Sequence, residues 1–299
     1  MSSLLSDRIR EWRLALPVSR DQVMLLMVAV NLFFLGLDTY LAHLISGTIV
    51  PREWIPIGFG VAGGILMVGA GLVALRSRMT ANIIATVVML ASIAVGVLGT
   101  YFHLVRAALP FAPAGERLST NLLIWGPPIA GPFAFVMVGL LGLSAAWQED
   151  PADSGVLVLP GNVRLQLPYS KTRAYFYIVS MGILAALVSA VLDHARTGYT
   201  EGIAVFWIPL AAGVFGTVVA AMMGFIEKPT SIDFITYITT MGLMILVGVV
   251  GFYFHIQADI GARGEIVIER FLRGAPVLAP LLFANMGMLG LIALLAPKE

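Results

Sequence analysis

Residues 95–103 read VGVLGTYFH, and residues 247–255 read VGVVGFYFH. Two segments this similar within one chain of 299 residues indicate an internal repeat. The similarity continues in WIPIGFGVAG at 54–63 and WIPLAAGVFG at 207–216, and in five matching glycine, proline and phenylalanine positions of 126–139 and 274–287. Because the offset stays between 148 residues (126 to 274) and 153 residues (54 to 207), the sequence predicts a tandem duplication of two similar halves.

The composition excludes a water-soluble globular protein. Hydrophobic residues make up 59% of the chain and charged residues only 12%, about half of the roughly 25% that soluble domains carry. The 18 basic and 17 acidic residues nearly cancel, which argues against a nucleic-acid-binding protein. Cysteine is absent, so disulfides, thiolate-bound zinc or iron–sulfur clusters and covalently attached c-type haem are excluded.

Eight apolar stretches are long enough, at about 20 residues each, to span a lipid bilayer as helices. They lie at 22–46, 54–75, 80–104, 122–147, 173–195, 203–226, 233–256 and 275–296. Each half holds four, an even number, so both halves should insert with the same orientation, related by an axis along the membrane normal. The sequence therefore predicts an all-α polytopic membrane protein in which two four-helix bundles lie side by side.

This division gives the chain four segments. Residues 1–21 form an amphipathic N-terminal segment, and 22–147 and 173–299 are the four-helix repeats. Residues 148–172 form a linker whose GVLVLPGNVRLQL stretch predicts a small β-hairpin. With the N-terminus inside, the inner segments hold eleven Lys and Arg residues and the outer segments seven. The positive-inside rule then predicts that the linker and both termini are cytoplasmic, with the protein in the cell inner membrane.

All four histidines of the chain occupy repeated positions. His43 and His194 end the first helix of each half, and His103 and His255 end the third, so all four should lie at one depth near the periplasmic face. In an up-down four-helix bundle the first and third helices are diagonal neighbours, so two imidazoles should face each other across each core. This arrangement suits bis-histidine ligation of a b-type haem and predicts one or two haem b groups.

Other interpretations of the histidines remain open. The same side chains, with Asp193, Asp259 or Asp38, could bind a transition metal ion such as copper, iron or zinc. Alternatively, each is a satisfied polar group near the membrane surface of a cofactor-free scaffold or transporter. Against this, intramembrane ionisable residues are costly and usually functional. The pairing is also open, because His43 could face His194 across the duplication axis.

Several residues near the third-helix histidines support the haem interpretation. Arg106, Arg117 and Arg270 are candidates to bind haem propionates, with solvated salt bridges as the alternative. Gly99 and Gly251 lie one turn before His103 and His255, where glycine lets a flat macrocycle approach the backbone or two helices pack closely. The repeated Pro-x-x-x-Pro pairs of the fourth and eighth spans should bend those helices.

Three acidic residues differ between the halves. Asp38 lies in the first helix and is turned about 140° from His43, which makes it a candidate proton or quinone-hydroxyl partner, or a hydrogen-bonding group to a neighbouring helix. Asp193 directly precedes His194, and Asp259 lies one helical turn beyond His255. Either could orient an imidazole as its hydrogen-bond partner. Alanines replace both in the first half, so two haems would have unequal potentials.

The predicted architecture resembles that of membrane b-type cytochromes. Its four-plus-four duplication with four histidines is similar to haem A synthase, although the histidines of that family lie on even-numbered helices within a glutamate-containing motif. The eight-helix quinone-reactive subunits of molybdenum oxidoreductases are another loose likeness. The resulting hypothesis is an electron-transfer subunit that connects a periplasmic redox protein with the quinone pool, as a non-catalytic or quinone-reactive part of an oxidoreductase complex.

Overall fold

The structure is a computed structural model that describes residues 19–45, 47, 49–109, 111–196, 203–260 and 264–295. Its helices are α1 (Arg20–Ile45), α2 (Trp54–Ala74), α3 (Arg78–Ala107), α4 (Thr120–Trp125), α5 (Ala130–Ala146), α6 (Lys171–Arg196), α7 (Ile203–Phe225), α8 (Ser231–Asp259), α9 (Ile268–Arg273) and α10 (Leu281–Ile292). Short 3-10 turns lie at Pro51–Glu53 and Ala114–Glu116. The strands are β1 (Gln148–Glu149), β2 (Val156–Leu159) and β3 (Val163–Gln166). The amphipathic stretch predicted at 3–16 lies outside the described residues.

Within this described part of the chain, six helices are long and apolar enough to cross a membrane: α1, α2, α3, α6, α7 and α8. Large apolar side chains remain exposed along them, among them Leu26, Ile65 and Val87, at 61%, 59% and 62% of their surface. A soluble monomer rarely exposes contiguous apolar surface on this scale. Helix length and apolar exteriors therefore both indicate a lipid bilayer environment.

The fourth and eighth predicted spans are shorter than the sequence analysis expected. The stretch 122–147 is interrupted at residues 126–129, and the helix that follows, α5, has 17 residues. In 275–296 the regular helix begins only at Leu281, so α10 has 12 residues. Proline explains both interruptions, because Pro127, Pro128 and Pro276 disfavour helical backbone at the residue before them and cannot donate a helical hydrogen bond.

The six long helices, together with the shorter α5 and α10, pack in two rings of four. In the first ring α1 contacts α2, α2 contacts α3, α3 contacts α5 and α5 contacts α1, which leaves α1 and α3 on a diagonal. The second ring has the same order with α6, α7, α8 and α10. The rings join where α5 contacts α6 and where α10 contacts α1. One buried core runs through both, from Met24 and Phe135 to Tyr237 and Phe283.

The linker between the rings folds as a small antiparallel sheet with strand order β1-β2-β3. The β2–β3 hairpin turns through the three residues between Leu159 and Val163, of which Gly161 and Asn162 have left-handed backbone. Glu149 connects the sheet to the helices, since its Oε1 accepts hydrogen bonds from the backbone N–H groups of Gly155 and Lys171, at 2.7 and 2.9 Å.

A buried ionic network lies beside this linker, where the N-termini of α1 and α6 meet. The Lys171 ammonium donates to the Asp21 carboxylate at 2.6 Å and to the Trp147 carbonyl at 2.7 Å. Arg20 donates to the Thr172 hydroxyl at 2.7 Å. Both cationic side chains are only 1% exposed. We call this region the linker end; its members are Arg20, Asp21, Trp147, Glu149, Lys171, Thr172 and Tyr175.

Tyr175 completes the linker end. Its hydroxyl donates to Asp21 at 3.0 Å, and the Arg20 guanidinium lies 5.0 Å from the centre of its ring, a cation–π contact. The network therefore ties the first helix of one ring to the first helix of the other.

Candidate functional site: two histidine pairs

The four histidines lie at the end of the molecule opposite the linker end, which we call the histidine end. His43 and His194 are close to the C-termini of α1 and α6, whose N-termini meet at the linker end. His103 and His255 are four residues before the ends of α3 and α8. Up-and-down connections bring these four C-termini to one end, and all four side chains are half-buried.

The histidines form one pair in each ring. The ring centroids of His43 and His103, the first histidine pair, are 6.2 Å apart with an interplanar angle of 63°. Those of His194 and His255, the second histidine pair, are 6.1 Å apart at 78°. The diagonal position of α1 and α3, and of α6 and α8, accounts for this pairing within each ring.

The separation suits a shared metal centre. An ion that binds one nitrogen of each imidazole at about 2.0–2.1 Å, on the line between them, places the ring centroids about 6.4 Å apart. The observed 6.1 and 6.2 Å are close to this limit. An edge-to-face contact between two aromatic rings has the same range of separations, so distance alone does not distinguish the two.

Hydrogen bonds orient three of the four rings through Nδ1. His103 donates to the carbonyl of Pro128 at 2.8 Å, and His255 donates to the carbonyl of Pro276 at 2.9 Å. His43 donates from Nδ1 to the carbonyl of Thr39 at 2.8 Å. A carbonyl oxygen can only accept, so each Nδ1 carries the proton and each neutral ring has its lone pair on Nε2. Metal-binding histidines are oriented in this way by the bond of the other ring nitrogen.

The surroundings of the two pairs differ. Phe206 packs against His194 with ring centroids 4.6 Å apart. The repeat places Glu53 at the equivalent position of the first half, where its carboxylate accepts from the backbone N–H of Val50 at 3.0 Å. Arg196, two residues after His194, donates to the carbonyls of Ile124 and Gly126 at 2.7 and 3.0 Å. These two bonds satisfy the carbonyl end of α4 and join the rings.

The predicted propionate ligands are all exposed. Arg117 donates from Nε to the carbonyl of Ala112 at 3.2 Å, and Arg270 donates to the carbonyl of Ala258 at 3.2 Å. Arg106 lies one turn beyond His103 with its side chain exposed. The two hydrogen-bonded arginines therefore hold loop and helix-end backbone at the surface of the histidine end.

The three acidic candidates take different positions. Asp38 lies on α1 with an exposed side chain. Asp193 accepts from the Ser189 hydroxyl at 3.5 Å and has an oxygen 3.7 Å from the Arg196 guanidinium. Asp259 is only 2% exposed and accepts the backbone N–H of Ala275 at 2.9 Å. His255, the imidazole that Asp259 was a candidate to orient, donates from Nδ1 to the Pro276 carbonyl.

Gly99 and Gly251 serve helix packing. A Cβ added at Gly99 would lie 2.7 Å from Cβ of Pro132, and one at Gly251 would lie 2.8 Å from Cβ of Pro280. Of the two alternatives, a macrocycle or a neighbouring helix, the structure shows the second, with a proline ring close to each glycine.

The histidine end offers a pair of imidazoles in each ring as ligands for a haem, but the cavities there are small. The two best-formed cavities among the described residues have volumes of about 230 and 10 Å³; Leu44, Ile45, Glu269 and Leu272 line the larger. Pockets for drug-sized ligands and cofactors usually hold about 300–1,000 Å³. Neither of these two cavities is lined by a histidine, so a porphyrin between two paired imidazoles would require the helices of that pair to move apart. In the same part of the chain, no cluster of three or more His, Asp or Glu has a metal-binding arrangement.

Sequence reasoning missed the carbonyl partners and the linker-end network. The dipeptide Pro127-Pro128 and the repeated prolines at 132 and 280 were signals for broken helices with available carbonyls. Arg20 and Lys171 are separated by 151 residues, as are His43 and His194, so the repeat itself marked them as equivalent.

No protein-family model matches this chain, and no curated protein or solved structure shows significant similarity to it.

Proposed function

We propose that this chain is an eight-span, duplicated protein of the cell inner membrane that binds haem b at its histidine pairs. It would carry electrons between a periplasmic redox protein and the quinone pool. The observation that carries the proposal is the recurrence of one geometry in both rings. Each ring has two imidazoles 6.1–6.2 Å apart, and in each ring the third-helix imidazole is oriented by a proline carbonyl.

Equivalent contacts support the duplication. Gly96 of α3 packs against Pro132 and Val136 of α5, and Gly248 of α8 packs against Pro280 and Ala284 of α10. These three-residue contacts correspond position for position under the sequence repeat. On this interpretation α5 and α10, with the turns that precede them, are the fourth and eighth spans.

The charge distribution supports the orientation. The excess of eleven inner over seven outer Lys and Arg residues favours a cytoplasmic position for both termini, and hence for the linker end. The histidine end then faces the periplasm, within reach of a periplasmic electron donor or acceptor. Asp38, an exposed carboxylate in a membrane-spanning helix, is the group we assign to a quinone hydroxyl or its proton.

The number of ligands favours haem. Zinc sites in proteins have three or four protein ligands, whereas a porphyrin supplies four nitrogens and leaves two axial positions. Each pair offers two imidazoles, and the described residues complete no three-ligand cluster around them. A bound haem b would supply one-electron transfer, and the paired imidazoles of His43 with His103 and of His194 with His255 would hold it.

Copper is the second candidate, favoured by the limited space. Imidazole is a good copper ligand, and a bare ion needs no porphyrin-sized cavity. The prolines that fill the space over Gly99 and Gly251 leave the pairs closely packed, which suits an ion between two rings.

Spectroscopy and metal analysis of the purified protein test both candidates. Haem predicts a Soret band, a pyridine haemochrome spectrum of haem b, and loss of about half the haem in either His103→Ala or His255→Ala. Arg164→Ala, which removes one exposed ion pair with Asp150 on the linker sheet, should keep the full content. Stoichiometric copper without porphyrin would replace haem by the second candidate, and neither cofactor at either pair would overturn both.

A further inference from the structure

Pro132 and Pro280 occupy equivalent positions relative to the third-helix histidines of the two rings. Pro132 comes four residues after Pro128, whose carbonyl accepts from His103, and Pro280 comes four residues after Pro276, whose carbonyl accepts from His255. In a helix, the N–H at position i+4 is the normal donor to the carbonyl at position i. Proline has no N–H, so in both rings that donor is missing.

The same prolines also fix the position of α3 and α8 along the helix axis relative to the neighbouring α5 and α10. Pro132 packs on Gly99 and Pro280 packs on Gly251, each one helical turn before the histidine. Glycine at these positions lets the proline ring approach the backbone of α3 or α8. The contact sets the imidazole level with the carbonyl that it bonds.

We propose that Pro132 and Pro280 are positioning residues for His103 and His255. By packing on the glycines they align each imidazole with a carbonyl, and by lacking an N–H they leave that carbonyl to the histidine. The carbonyl holds the proton on Nδ1 and leaves Nε2 as the ligating nitrogen. The tautomer follows from the hydrogen bonds of the two histidines, whereas its effect on ligand binding rests on the proposed function.

The two proline carbonyls accept different numbers of hydrogen bonds, which gives different expectations for the two proline variants. The Pro276 carbonyl accepts from the backbone N–H of Ala279 at 3.1 Å as well as from His255, so both of its lone pairs are used. The Pro128 carbonyl accepts from His103. A new N–H at position 280 must therefore displace a donor, while one at position 132 could be added. Pro280→Ala should disturb its histidine more than Pro132→Ala.

Histidine-selective ¹⁵N NMR of the cofactor-free protein in detergent micelles gives the direct readout. The chain has only four histidines, so eight ring-nitrogen signals cover all of them. At about pH 8, above the usual histidine pKa of about 6.5, the neutral tautomers are distinguishable. We expect Nδ1–H tautomers for His103 and His255, and in Pro280→Ala a shift of the His255 signals toward a mixture of tautomers.

Pro209→Ala is the matched control, because Pro209 lies inside α7, whereas His255 bonds the Pro276 carbonyl before α10. It should leave the His255 signals unchanged. An Nε2–H tautomer of His103 or His255 in the wild-type protein, or unchanged His255 signals in a folded Pro280→Ala protein, would overturn the proposal. Circular dichroism establishes that each variant is folded.

Haemin titration then tests the functional consequence. Groups that hydrogen-bond a ligating histidine typically contribute about 10–100-fold to the affinity for the bound group. We expect a loss of haemin affinity of this size at the second histidine pair in Pro280→Ala. If wild-type protein binds no haemin while the tautomers behave as expected, the proposed haem function fails and the positioning role survives. If haemin binds and Pro280→Ala changes neither tautomer nor affinity, the positioning role fails alone.

Discussion

The two ends of the molecule use polar side chains in opposite ways. At the linker end, charged groups neutralise each other inside the protein, as Lys171 and Asp21 do at 2.6 Å. At the histidine end, neutral imidazoles bond neutral backbone carbonyls through one nitrogen, which leaves the lone pair of the other for a ligand. Ionisable groups at the two ends of the molecule are therefore not equivalent evidence of function. One end holds the rings of helices together, and the other holds the imidazoles that we propose as cofactor ligands.

The largest expected effect comes from removing the central anion of the linker end. Asp21→Ala leaves the Lys171 ammonium, 1% exposed, without its counter-charge, and also removes the acceptor of Tyr175. Breaking a buried ion pair in this way costs about 3–5 kcal/mol of unfolding free energy. Unfolding in mixed detergent micelles measures the loss.

Asp150→Ala is the control for this variant. Asp150 pairs with Arg164 at 3.0 Å, but both side chains are more than half exposed, and such surface pairs contribute only about 0–1 kcal/mol. Equal losses in Asp21→Ala and Asp150→Ala would show that the linker-end network is not the main connection between the rings.

A double variant separates the charge from the packing. Lys171→Met should be destabilising in the wild-type protein, because it leaves Asp21 without its closest cation. In an Asp21→Leu background the same change removes an unpaired buried charge, so it should restore about 1–3 kcal/mol. The double-mutant cycle, measured by the same unfolding assay, would contradict the network if the two effects simply added.

The opposite result is expected at the histidine end. His255→Ala loses one hydrogen bond to a backbone carbonyl, which costs about 0.5–1.5 kcal/mol, yet it should halve the bound cofactor. Asp21→Ala should retain the full cofactor content in its folded fraction. Cofactor content per folded protein, read together with unfolding free energy, would contradict the comparison if either variant changed both quantities in parallel.

The histidine end was more predictable from sequence than the linker end, for physical reasons. The repeat and the order of the apolar stretches indicate which helix ends meet, so helix order favoured the pairing of His43 with His103 and left a pairing of His43 with His194 as the alternative. The fourth and eighth spans were predicted too long because apolar composition does not report that Pro128 and Pro276 interrupt the backbone.

The linker end depends on contacts that no local pattern contains. Its members come from residues 20–21, 147–149 and 171–175, and they meet only because the rings pack side by side. A lysine or arginine at the start of a predicted span suggests an ordinary position at the membrane surface. Its burial could be recognised only by comparing Arg20 with Lys171 across the repeat.

The smallest expected effect lies halfway between the ends. Asn285 of α10 donates to the side-chain carbonyl of Asn31 of α1 at 2.7 Å, which joins the rings about 16 Å along α1 from Arg20. Hydrogen bonds between membrane helices contribute about 0.6 kcal/mol on average, so Asn285→Leu should cost about that much. It should change neither cofactor content nor the histidine tautomers. A variant that loses cofactor would show that the ring contact transmits structure to the histidine end, and the two ends would then not be independent.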